Sequence, residues 1–132
     1  MINCLIVGLG GAVGTILRYL IGLIPLKESL QFPIKTFVIN IIGCFLIGCI
    51  VALALKINNF NPKLILFLKV GVCGGFTTFS TFALEANDLI KTSHWGIAVT
   101  YIILSIIIGI FAVFLFLARI ALPFSLAPIS SV

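Results

Sequence analysis

The chain has very little charge. Among 132 residues there are three acidic side chains, Glu28, Glu85 and Asp88, and eight Lys or Arg. Charged residues make up 8% of the chain, against about a quarter in soluble domains, so a water-facing globular surface is excluded. One His and three scattered acids leave no ligand cluster for metal enzymology, and there is no phosphate loop. In the run Gly8, Gly10, Gly11, Gly14, Val13 stands where a dinucleotide fingerprint needs its third glycine. No basic run interleaved with aromatics is present, which argues against nucleic acid as a partner. Cys4, Cys44, Cys49 and Cys73 form no Cys-x-x-Cys and lie in apolar runs, as small core residues do. No Lys or Arg precedes the first apolar run, which argues against a cleaved secretory signal.

What is present is apolar. Hydrophobic residues make up 62% of the chain and the mean hydropathy is +1.39, which places it in a lipid bilayer. The length suits four spans of about 20 residues with no separate soluble domain. The expected fold is an all-α membrane protein, a single domain with spans near 2–24, 36–55, 64–90 and 96–118. A net charge of +5 fits contact with anionic lipid head groups or a field that draws anions.

One stretch stands out, from Gly71 to Phe82. It holds Gly74-Gly75 and then Thr77-Thr78-Phe79-Ser80-Thr81-Phe82 in the middle of the third apolar run. The glycine pair predicts two half-helices rather than one rod. A break inside a membrane must be buried against protein or line a polar cavity, which points to a pore or binding site.

Other polar residues are few, and most admit two readings. Gly10 and Gly14 form a G-x-x-x-G pair for close helix packing. Arg18 is the single charge of the first span and serves as an interfacial anchor or an attractor of anions. Asn40, one turn after Thr36, is either interhelical glue or an amide donor facing a pore. Lys69 is expected to snorkel toward the preceding loop, and Glu85 and Asp88 to lie at the interface. His94 and Trp95 suit an interface anchor. Tyr101, Ser105 and Gly109 recur every four residues, as a packing seam or a strip of hydroxyl donors. Arg119 closes the fourth span, and Pro123 and Pro128 predict an irregular tail.

Loop charges bear on orientation. With four spans, one side carries Lys56, Lys63 and Arg119 with Lys69 close by, and the other Lys27, Lys35 and Lys91 with Arg18 close by. Since the Lys/Arg bias sets orientation, a balanced chain is expected to insert both ways and pair as an antiparallel dimer.

The chain resembles the Fluc (CrcB) family of fluoride channels. The resemblance rests on Gly10-Gly11-Ala12-Val13-Gly14 with Arg18-Tyr19, then Asn40-Ile41-Ile42-Gly43, then Gly74-Gly75-Phe76-Thr77-Thr78-Phe79-Ser80-Thr81-Phe82 with Glu85. It implies an antiparallel dual-topology homodimer in the cell membrane, with two fluoride pathways and a central structural sodium ion. It also implies sodium-binding backbone carbonyls at Gly74 and Thr77, with the third helix broken mid-membrane. Asn40, Phe79, Phe82, Ser80, Thr81, Tyr101 and Ser105 would line the pore, and Arg18 the vestibule. Gly109 stands where some members place another hydroxyl, which shortens the expected track. Two other classes share the general features: a small proton-coupled multidrug antiporter, which needs an acid within the membrane, and a non-transporting assembly subunit.

Overall fold

The computed structural model describes residues 1–25, 31–57 and 59–125, and these form helices joined by short turns, with no strand among them. The first two passes are α1 (Ile2–Gly22) and α2 (Ile34–Lys56). The third is composite: α3 (Pro62–Ile65), a π-helical stretch (Leu66–Cys73), α4 (Gly74–Phe76) and α5 (Phe79–Lys91). The fourth is α6 (Trp95–Ser125). Four segments are long and apolar enough to cross a membrane: Ile2–Gly22, Ile34–Lys56, Pro62–Lys91 and Trp95–Ala118. The protein is a multi-pass membrane protein. Apolar side chains cover its outside, as a chain facing lipid or another subunit requires.

Sequence chemistry explains the element ends. Asn61 caps the third pass by accepting a hydrogen bond of 2.9 Å from the Lys63 amide, with Pro62 at the first helical position where its missing N–H costs nothing. Lys35 Nζ donates to the Gly22 carbonyl at 2.8 Å, satisfying an acceptor at the C-terminus of α1. The expected loop residues Lys27 and Glu28 lie outside the described residues, as does Pro128.

Two dense seams organise the bundle. The first joins α1 to residues 66–76 through backbone contact. A Cβ on Gly71 would lie 2.8 Å from Gly10 Cα, one on Gly14 would strike the Val72 carbonyl, and one on Gly75 would strike the Gly11 carbonyl. Gly10 and Gly14 thus do what their spacing predicts, and dispersion between closely apposed backbones holds the pair. The second seam joins α2 to α6, where Gly48 meets the Val113 backbone and Phe45 stacks edge-on against Phe116 at 4.7 Å. Between seams, α5 packs on α6 through Ala86, Leu89, Ala98 and Tyr101.

Three features depart from the sequence reading. The non-helical residues of the third pass are Thr77 and Thr78, at ψ 160° and 110°, whereas Gly74 is helical at φ −62°, ψ −38°. The glycine pair does not bend the chain: no described glycine has positive φ, and Gly75 is needed for its contact with Gly11. The helix leading to the break is π-helical over eight residues. Finally, α6 continues through Pro123 to Ser125, because the chain offers no cap or glycine to stop it at Ala118.

Candidate functional site

The break in the third pass is held by one side chain. Asn40 Oδ1 accepts from the Thr78 amide at 2.8 Å, and Asn40 Nδ2 donates to the Thr78 carbonyl at 3.1 Å. Thr78 is buried, so this amide acts as the strand partner that its extended backbone otherwise lacks. On the C-terminal side Thr78 caps α5, its hydroxyl accepting from the Thr81 amide at 3.2 Å and donating to Thr81 Oγ1 at 2.9 Å.

These bonds have a consequence for two carbonyls. In an unbroken helix the Thr78 amide would donate to Gly74 and the Thr81 amide to Thr77. Both amides are diverted, to Asn40 and to the Thr78 hydroxyl. Among the described residues, no hydrogen bond reaches either carbonyl. Gly74 is exposed, and a Cβ there would meet nothing within 4 Å. Open backbone oxygens on an uncluttered surface are the donor type that a hard monovalent cation takes.

Beside the break runs a groove of about 370 Å³. One wall comes from α2 through Asn40, Gly43, Cys44 and Ile47, and the other from the third pass through Lys69, Cys73, Gly74 and Thr77. Phe79 and Phe82 of α5 and Ser105 and Ile106 of α6 complete the lining. Phe79 is 79% exposed, an unusual setting for a phenylalanine whose only described ring partner is Phe82 at 5.8 Å. The Ser105 hydroxyl is shielded from solvent and has no hydrogen-bond partner among the described residues, which leaves a free donor in the groove wall. The groove therefore joins six residues singled out from sequence: Asn40, Gly74, Thr77, Phe79, Phe82 and Ser105.

The profile of the CrcB-like protein family, described as Camphor Resistance (CrcB), matches residues 5–117. The chain belongs to this family. A relative from Agrobacterium fabrum, named fluoride-specific ion channel FluC, is 43% identical over 119 residues, covering 89% of this chain and 95% of its own. Relatives of the same name from Azobacteroides pseudotrichonymphae and Ruminiclostridium cellulolyticum are 41% identical over 111 residues and 47% over 107. These two alignments cover 83% and 80% of this chain, and 89% and 82% of the relatives.

The remaining expected CrcB site residues lie away from the groove lining. Tyr101 is fully buried, its ring against Phe82 at 5.0 Å and Phe32 at 5.3 Å, and its hydroxyl donates to Glu85 Oε2 at 2.8 Å. Ser80 is exposed and Thr81 is committed to the α5 cap. Arg18 sits on α1, half-buried, with its Nε shielded and unpartnered among the described residues.

Sequence reasoning missed two participants. Glu85 is half-buried and accepts from Thr36 Oγ1 at 2.7 Å as well as from Tyr101, so it faces the bundle rather than the interface. The signal was there: Thr36 one turn before Asn40 and Tyr101 on the facing helix are both donors in need of an acceptor. Lys69 lies along the groove rather than with the loop alone.

Proposed function

We propose that this chain is a fluoride-specific ion channel of the cell membrane, not an enzyme, conducting fluoride passively through two pathways of an antiparallel dual-topology homodimer. Family membership over residues 5–117, with FluC relatives covering more than four-fifths of the chain, carries the reading. The groove supports it. Fluoride gives up tightly held water on entering, so its path must supply donors. Ser105 offers an unpartnered hydroxyl and Asn40 a second amide hydrogen beyond the one bonded to Thr78. The exposed ring of Phe79 and the half-buried ring of Phe82 both line the groove and can turn positively polarised edges toward an anion.

The sodium assignment draws on the open Gly74 and Thr77 carbonyls. Two oxygens are too few for a hard cation, and the exposed Gly74 and Phe79 favour a second copy that supplies the other pair. Bound sodium supplies fixed positive charge that does not titrate with pH. The break then lies mid-membrane at the dimer axis, with the two anion paths beside it.

Fluoride efflux from proteoliposomes tests the function. The expected result is rapid, uncoupled fluoride loss with chloride retained. Proton-dependent exchange would instead identify an antiporter, for which the inward-facing Glu85 would be the acid, and no flux would identify an assembly subunit. Orientation has its own test: a C-terminal tag should be found on both faces of the membrane, and one confined to the cytoplasm overturns dual topology.

A further inference from the structure

We infer that Lys69 is the anion-recruiting charge of this groove, and that the π-helical stretch brings it nearer the line of Gly74. The inference rests on the channel reading above. Lys69 is the one charged residue among the described residues that line the groove, and it is exposed there. An ionisable side chain within an apolar membrane segment usually faces the bundle interior or a water-filled cavity and marks an ion path.

The helical geometry explains its position. In an α-helix Lys69 would share a face with Cys73, four residues on, but point roughly 140° away from Gly74. In a π-helix the hydrogen bonds run from i to i+5 and residues that far apart come nearly into line. The π stretch covers Leu66–Cys73, and Lys69 and Gly74 line one groove. π-Bulges are frequent at functional sites.

The position along the groove is equally specific. On α2 the wall runs from Asn40 to Ile47, about 10 Å of helix, while the antiparallel third pass runs back from Thr77 to Lys69. Asn40 is bonded to Thr78, so Lys69 lies at the other end, beside Ile47. A cation there, apart from the phenylalanines and the amide clamp, raises the local concentration of anions without touching the narrow part of the path. It should set apparent affinity and leave maximal conduction alone.

The test is fluoride flux against fluoride concentration in proteoliposomes of wild type, Lys69→Gln, Lys69→Met, Lys69→Arg and Lys69→Glu, each first checked as a dimer by size exclusion. Half-saturating fluoride should rise roughly three- to tenfold in the Gln and Met variants and further in the Glu variant, with maximal flux kept. Arg should stay within about twofold of wild type, and inert salt should narrow the gap between Lys and Gln. Removing a charge from an apolar helix does not burden insertion, so the Gln and Met variants carry the test should the Glu variant fail to insert. Equal half-saturation in wild type, Gln and Met overturns the inference. A wild-type chain that passes no fluoride overturns the channel reading itself.

Discussion

The two halves of the third pass are built on different principles. Residues 66–76 lie against α1 by close backbone contact, glycine on glycine. Residues 79–91 are held by side chains: the Asn40 clamp at one end, then the Thr36–Glu85–Tyr101 hydrogen bonds, then Leu89 in its apolar cluster. The first arrangement is intolerant of any added atom. The second tolerates shape changes but not the loss of a donor or acceptor. A break between a sterically fixed half and a chemically fixed half can hold two unpaired carbonyls steady, since neither neighbour is free to close the helix.

The contrast can be broken most severely on the glycine side. Gly75→Val would drive its Cβ into the Gly11 carbonyl, and because the obstacle is backbone, the cost should reach or exceed the ~1–3 kcal/mol usual for overpacking. Size exclusion after purification should show little or no dimer, while Gly96→Ala, exposed at the start of α6 with nothing within 4 Å, should give wild-type yield. Equal yields for the two would refute the seam. Next in size is Asn40→Ala, which strands the buried Thr78 amide at about 1–3 kcal/mol. Fluoride flux should drop at least about tenfold with the dimer retained, and Phe82→Ile should lower it too; normal flux in both would remove the groove from the pathway. The mildest test is a double-mutant cycle of Glu85→Met with Tyr101→Phe, read by thermal unfolding in detergent. Direct contact predicts a coupling of about 0.5–3 kcal/mol, and additive effects would mean that the 2.8 Å bond does no stabilising.

Much of this was legible in the chain. Four apolar runs separated by Pro-, Asn- and Lys-containing turns fixed the passes, and the cluster from Gly74 to Phe82 marked the site. Its internal division was harder to read. Glycine signals both flexibility and close approach, and only the presence of α1 alongside decides that Gly75 serves the second. The extended residues are Thr77 and Thr78, because the Asn40 amide, 38 residues away in sequence, captures the Thr78 amide. The π stretch leaves no mark in Leu66–Cys73, since an i+5 register and an i+4 register bury equally apolar faces. Glu85 was misplaced by its nearness to Asp88 and Lys91, when its partners are hydroxyls on α2 and α6.

The two seams also have a mechanical meaning. They divide most of the chain into two leaves, α1 with residues 66–76 and α2 with α6, while α1 and α2 barely touch. The groove is the slot between the leaves, and the Asn40–Thr78 pair of hydrogen bonds is its latch. Any change in slot width must therefore stretch that pair of hydrogen bonds, while both seams can stay closed.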